Sequence, residues 1–266
     1  MTSIPKVYII TASVGTIELL KCIESVQLQD YDNIEHLIVC DGLEHRDNVI
    51  EKIEKIEKIE KTKHNISTIV LPWNSGRDKY ICHKIYAAIP HLLHQPCYIS
   101  FLDEDNFIDY NHISSMMKTI IDNKLDWAYC LRKIVYKDGN IICKDLCESL
   151  GKLSQTWVAL ERNKLYNNGK IDIISDYLVD TSSYLIPVEI ARKFSECWQR
   201  RAREHPEADR LFYNYLSENY KNYDCSMKYT LNYRLEGRPD SVSKDFFIMG
   251  NSKMKKNYNN DIPWNK

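Results

Sequence analysis

Three elements within residues 6–42 constrain the fold most: an apolar run KVYIITA, an amphipathic stretch IELLKCIESVQLQ and a second apolar run EHLIVCDG. KVYIITA alternates too little for a half-exposed strand and reads as a strand buried on both faces. In the middle stretch Ile17, Leu20, Ile23 and Val26 recur at helical spacing. Leu19 and Leu28 widen that face, Thr16 serves as N-cap, and DYDN at 30–33 punctuates the end. A strand, a helix and a strand in about forty residues form a right-handed βαβ unit, with its loops at the carboxyl edge of a parallel sheet.

The pattern continues. NISTIVLP is a third strand stopped by Pro72, WNSGRDKY is a polar loop leading into a helix KYICHKIYAAI, and CYISFLDEDNF is a fourth strand running straight into acid. Strands alternating with helices predict an α/β fold with a mostly parallel sheet. The second half is mixed. DWAYCLRKIVYKDGNIICKD reads as a hairpin turning at Asp138-Gly139, DYLVDTSSYLIP as a strand, VEIARKFSECWQRRAREH and PEADRLFYNYLSENY as helices, and KYTLNYRLEG as a last strand. No Pro/Gly/Ser-rich linker separates the halves. The expectation is one domain over 1–250, with residues 1–110 facing a nucleotide, 111–250 facing an acceptor, and a basic tail at 251–266. Residues 50–61 read IEKIEKIEKIEK, a spacing of three that drifts around a helix and predicts an exposed helix without chemistry.

Apolar residues at 44% and charged residues at 27% exclude wholesale disorder. Thirty-six basic against thirty-seven acidic side chains leave no global field for nucleic acid, so any phosphate affinity is local. The short run from Val7 to Ala12 reads as a strand and not a signal peptide, and no stretch approaches the ~20 apolar residues of a membrane span. Nine cysteines without a CxxC, Cys143 and Cys147 being the closest pair, fit small buried hydrophobes in a cytoplasmic, reducing compartment. The tail SKMKKNYNNDIPWNK leaves two readings open, a frayed solvated end or a peripheral hold on an anionic membrane surface.

Asp103-Glu104-Asp105-Asn106 is the sharpest chemical signal. Aspartates at i and i+2 leaving a strand share a side, so both carboxylates can face one point. Hard cations such as Mn²⁺ or Mg²⁺ take carboxylate oxygens and complete their shells with substrate phosphates and water. An acidic loop solvating a strand end is the plain alternative.

The stretch VYIITASVGTIELLKCIESVQLQDYDNIEHLIVCDG resembles the opening of family 2 glycosyltransferases, through Thr11, Leu20, Cys22, Ile23, Ser25, Val26, Gln29, Tyr31, Asn33, Glu35, Ile38, Val39, Asp41 and Gly42. NSGRDKY and FLDEDN follow in the family's order. The resemblance implies a GT-A fold, a nucleotide-sugar donor, a divalent metal and inversion at the anomeric carbon. It implies that Thr11 and Ala12 line the nucleotide, that Asp41 meets the base or ribose, that Arg77 braces base or diphosphate, and that Asp103 and Asp105 form the DxD. Cys40 and Leu43 depart from the family's acid and serine beside Asp41.

Inversion requires a base near the acceptor hydroxyl. The family places it at a helix start well after the DxD. In His205-Pro206-Glu207-Ala208-Asp209-Arg210, Asp209 resembles that base, with Glu207 as fallback. Asp176 and Asp180 are a second acidic pair. Arg234, with Arg238 beyond it, is a candidate to meet the leaving diphosphate when a C-terminal loop closes. His83, His91 and His94 lack a third ligand and read as surface or helix-end histidines, while Trp73 and Trp157 are candidate sugar-stacking rings. The expected activity is transfer of a sugar, from a UDP donor, to a hydroxyl of a glycan or lipid-linked acceptor in bacterial surface polysaccharide synthesis. A metal-dependent nucleotidyltransferase and a non-catalytic nucleotide-binding scaffold are the alternatives.

Overall fold

A computed structural model describes residues 4–59, 62–77, 80–93, 96–158, 177–199, 208–235 and 242–266. In chain order its elements are β1 (Val7–Ser13), α1 (Leu19–Gln27), β2 (Ile34–Cys40), α2 (Arg46–Ile59), β3 (Asn65–Val70), α3 (His83–Leu92), β4 (Tyr98–Phe101), β5 (Phe107–Ile108) and α4 (His112–Asn123). There follow β6 (Trp127–Val135), β7 (Ile141–Lys144), β8 (Tyr184–Pro187), α5 (Val188–Lys193), α6 (Ala208–Asn219), β9 (Tyr223–Arg234) and α7 (Lys244–Asn257).

The strands make one sheet in the order β3-β2-β1-β4-β8-β6-β9-β5, with β7 paired to β6. β3, β2, β1 and β4 are mutually parallel, in a register that sets Thr11 beside Ile38 and Ile10 beside Phe101. β8 joins β4 antiparallel and begins the mixed half. Because the four parallel strands all point one way, their carboxyl ends gather the loops after β1, β2, β3 and β4 on one edge.

Both faces of the sheet are covered, which explains why β1 does not alternate. Ile9 and Ile10, adjacent in sequence, enter opposite cores. Ile9 packs with Leu19, Ile23 and Val26 of α1, Val49, Ile53 and Ile56 of α2, and Met116 and Ile120 of α4. Ile10 packs with Phe101, Tyr86 and Ile89 of α3, Trp127, Trp198 and Phe212. Trp127 lies flat on Tyr223, with ring centroids 4.1 Å apart. Deleting a ring such as Phe212 from this core costs about 3–5 kcal/mol.

Several local expectations change. Helix α1 starts at Leu19 without a side-chain cap, and Ile17 and Leu28 are exposed. The triplet repeat is not wholly exposed, since Ile53 and Ile56 are one turn apart and both reach the core. β3 is a half-buried edge strand. DYLVDTSSYLIP is a strand only over Tyr184–Pro187, preceded by a 3₁₀ turn over Thr181–Ser183. The boundary at residue 250 falls inside α7, and the tail is not frayed: Met254, Ile262 and Trp264 are buried, with Trp264 edge-on to Tyr258 at 5.1 Å.

Candidate functional site

At the carboxyl edge lies a cleft of about 630 Å³, walled by Ala12, Ser13, Asp41, Gly76, Cys82, Asp103, Asp105, Tyr233 and Arg234, among others. It brings together Ala12, Asp41, Asp103, Asp105 and Arg234 from the sequence-predicted set. Asp209 is not among the residues lining it, and neither is Thr11. Fully buried, it hydrogen-bonds His36 Nε2 at 2.9 Å and lies 3.8 Å from Cys22 Sγ, because the pleat turns it toward α1 while its neighbour Ala12 lines the cleft. Arg77 also lies outside the cleft wall; its guanidinium is exposed and pairs with Glu44 at 2.8 Å. Asp78, His94, Asp176, Glu207 and Arg238 lie outside the described residues.

Asp41 ends β2 and does more than form a turn. Its Oδ1 accepts from Ser75 N–H at 2.6 Å and its Oδ2 from Gly76 N–H at 2.9 Å, so one carboxylate fixes the loop between β3 and α3. A Cβ at Gly76 would fall 2.7 Å from the Ile81 carbonyl oxygen, so that loop admits no side chain there.

The DxD turns its three acids to different tasks. Glu104 is buried and reaches back to the β1–α1 loop, accepting from Ser13 Oγ at 2.6 Å and from the amides of Val14, Gly15 and Thr16 at 3.2–3.3 Å. Those amides precede a helix, where a negative charge is favoured. Asp103 takes a 2.6 Å hydrogen bond from the Tyr86 hydroxyl on Oδ1, and its own N–H donates to Ser182 Oγ at 3.2 Å. Burial first, then the charges of Asp105 and Asp180, push the Asp103 carboxyl up to about 7. Two acids crowded in a partly dehydrated cleft repel each other, a tension that a cation between them relieves. Among the described residues no three His, Cys, Asp or Glu side chains gather at metal-binding distance, so any cation held here draws its remaining ligands from substrate or water.

Arg234 ends β9 and lines the same cleft. Its N–H donates to Asn106 Oδ1 at 3.0 Å, its guanidinium stands over the Phe107 ring at 5.6 Å, and its buried Nε has no partner among the described residues. A buried guanidinium N–H lacking an acceptor is a vacancy for an anion.

Asp209 sits in the first turn of α6 and accepts from Thr181 Oγ1 at 2.9 Å. Burial and the Asp180 carboxylate raise its proton affinity, against the lowering influences of His83, Thr181 and Arg132. His83 is not a surface histidine; it is buried, with its ring 5.6 Å from that of Trp198. His91 is exposed and hydrogen-bonds Ser195 at 3.0 Å. Trp73 projects into solvent, and Trp157 packs on Phe246 at 4.9 Å.

Sequence reasoning misses Tyr86, Arg132 and the bracing role of Glu104. For Glu104 a signal existed in its place between two cleft-facing aspartates, although in the structure residues 104 and 105 form a turn and Glu104 also lines the cleft. Arg132 gives no local signal, as its partners Asp145 and Asp180 lie 13 and 48 residues away.

Residues 17–179, more than half of the chain, match the sequence model of glycosyl transferase family 2. The structure resembles Staphylococcus aureus TarS, with a TM-score of 0.58 at 15% identity over 86% of this chain and 37% of that one. It also resembles S. aureus TarS 1–349 in complex with UDP-GlcNAc, with a TM-score of 0.55 at 14% identity over 94% of this chain and 66% of that one. For the UDP complex of the same fragment the TM-score is 0.57 at 14% identity, over 87% and 60%. This chain thus spans well under half the length of the longer TarS structure. No curated protein matches the sequence significantly. The parallel β3-β2-β1-β4 sheet, the DxD at its edge and the match over residues 17–179 agree in a GT-A fold, and the chain belongs to glycosyl transferase family 2.

Proposed function

We propose that this chain is an inverting, metal-dependent glycosyltransferase that moves a sugar from a UDP donor to a hydroxyl of a glycan or lipid-linked acceptor, in the synthesis of a bacterial surface polysaccharide. The observation that carries the reading is one cleft lined by Asp103, Asp105 and Arg234, whose buried Nε has no partner among the described residues. Opposite charges in that arrangement suit a diphosphate bridged to carboxylates through a cation. The TarS fragment seen with UDP-GlcNAc and UDP supports the choice of donor class.

Asp41 keeps lone pairs free after binding Ser75 and Gly76, and these accept from the uracil N3–H or a ribose hydroxyl. Arg234 donates to the diphosphate oxygens, and Asp103 and Asp105 would hold Mn²⁺ or Mg²⁺. When bound, that ion supplies positive charge to the departing diphosphate. Asp209 takes the proton of the acceptor hydroxyl as its oxygen attacks the anomeric carbon and the bond to the diphosphate breaks. A carboxyl of raised proton affinity is the better base for this task. Glu207 remains the alternative base.

Helix α7 carries a basic outer face. Its outward lysines, Lys244, Lys255 and Lys256, beside the exposed Ile248 and Met249, suit peripheral contact with an anionic cytoplasmic membrane face carrying a lipid-linked acceptor. No helix among the described residues is long and apolar enough to cross a membrane. A panel of nucleotide sugars with Mn²⁺, scored for binding and slow donor hydrolysis, tests the proposal. UDP-sugars are expected to bind and turn over. Binding of other nucleoside diphosphate sugars with UDP-sugars rejected would overturn the donor assignment.

A further inference from the structure

One short turn touches both Asp103, which lines the cleft, and Asp209, which does not. The Asp103 N–H donates to Ser182 Oγ at 3.2 Å, and the adjacent Thr181 hydroxyl donates to Asp209 Oδ1 at 2.9 Å. The turn hangs on Asp180. Its Oδ1 accepts from Ser182 N–H at 2.9 Å, its carbonyl accepts from Ser183 N–H at 2.9 Å, and its own N–H donates to Ser149 Oγ at 2.8 Å. The remaining carboxylate oxygen accepts from Arg132 Nη1 at 2.5 Å. Arg132 is itself immobilised, with Nε donating to Asp145 Oδ2 at 2.8 Å and its guanidinium 4.4 Å from the centre of the Tyr233 ring. Arg132, Asp145 and Asp180 are all buried.

We propose that Asp180, clamped by Arg132, is a positioning residue that sets the base Asp209 relative to the Asp103 wall of the cleft, through the hydroxyls of Thr181 and Ser182. The inference rests on the reading of Asp209 as the base. A buried ion pair is often replaceable without loss of stability, so mere structural support does not account for this one. Its geometry does: one carboxylate oxygen meets the fixed guanidinium and the other orders the turn whose neighbouring hydroxyls meet the donor wall and the base. Misplacing either partner in such a site by about 1 Å costs on the order of 10²-fold in rate.

The charged and polar groups acting on Asp209 also separate positioning from simple support. Asp180 raises its proton affinity, whereas His83, the Thr181 hydrogen bond and Arg132 lower it. Removing Asp180's charge and removing Thr181's hydroxyl therefore have opposite signs at the same atom.

The test follows the Asp209 carboxyl by carbon-13 NMR in the metal-free full chain, its signal assigned by loss in Asp209→Asn. In Asp180→Asn the titration midpoint is expected to fall, and in Thr181→Val to rise. With UDP-GlcNAc and Mn²⁺, kcat for donor hydrolysis falls about tenfold or more in Asp180→Asn. Midpoints that stay put, or move the same way in both variants, overturn the proposal, as does an unchanged kcat. Thr181→Val keeps the buried ion pair and carries the titration test alone if Asp180→Asn does not fold. Absence of UDP-GlcNAc turnover by the unmodified protein counts against the proposed function, while the NMR titration still decides the positioning role.

Discussion

The Glu104 carboxylate accepts a 2.6 Å hydrogen bond from the Ser13 hydroxyl and joins the tip of β4 to the loop after β1 across 91 residues of sequence. It accepts from three amides at the approach to α1, of which Gly15 N–H also donates to Ser13 Oγ at 2.9 Å, and α1 has no side-chain cap at its start. The donor cleft is therefore shaped by the middle acid of the DxD as much as it is charged by the outer two.

Replacing Glu104 by Gln puts an amide group against N–H donors that want an acceptor. An unsatisfied buried donor costs about 1–3 kcal/mol, so thermal melts are expected to show a lower Tm. Ser13 and Val14 line the cleft, so UDP affinity falls about tenfold as well, measured by calorimetry. An unchanged Tm and unchanged affinity would mean that the loop holds itself.

The proposed role of Arg234 is to read phosphate and leave the nucleoside alone. Arg234→Gln is expected to weaken UDP binding by about 1.5–3 kcal/mol, the range for hydrogen bonds to charged groups, while uridine binding stays unchanged. Equal losses for UDP and uridine would assign Arg234 to cleft architecture instead.

Acid is expected to destabilise the fold through two histidines. Burial pushes His36 and His112 down to about 3. The unfolded chain takes up protons on these rings from about 6.5 downward while the folded chain does not, so the stability they contribute is present above about 6.5 and is lost as pH falls toward 3. Each ring adds a slope of about 1.4 kcal/mol per pH unit within that window. Urea denaturation between pH 4 and 8 checks the slope, which His112→Gln is expected to reduce relative to the unmodified protein.

The last residues hold the fold. Trp264 is buried against Tyr258, so Trp264→Ala is expected to cost about 3–5 kcal/mol in denaturant unfolding. A cost within about 0.5 kcal/mol would return this segment to a solvated tail.

How much of this was legible depended on the range of each interaction. Hydrophobic pattern and Asp-Gly punctuation are local, so β1, α1, β2 and the β6–β7 hairpin read directly from sequence. The carboxyl-edge acids were legible because an apolar strand runs straight into them, whereas the relation of Asp103 to Asp105 is set by the turn after β4, where Asn106 N–H donates to the Asp103 carbonyl at 3.0 Å. Thr11 was misassigned because a strand buried on both faces has no alternation to reveal which residue turns toward the cleft. The C-terminal segment was misread because its lysines mask Met254, Ile262 and Trp264, whose burial depends on partners elsewhere in the chain. The clamp of Arg132 by Asp145 and Asp180 depends on strand pairing that brings distant residues together, and no spacing rule announces it.

Calorimetric titration of UDP into the unmodified protein and into Asp105→Asn, with Mn²⁺ and again with EDTA, tests the central claim most directly. The account predicts that Mn²⁺ strengthens binding to the unmodified protein about tenfold or more and leaves the variant unaffected. Binding indifferent to Mn²⁺ in both proteins, or equally Mn²⁺-dependent in both, would contradict it.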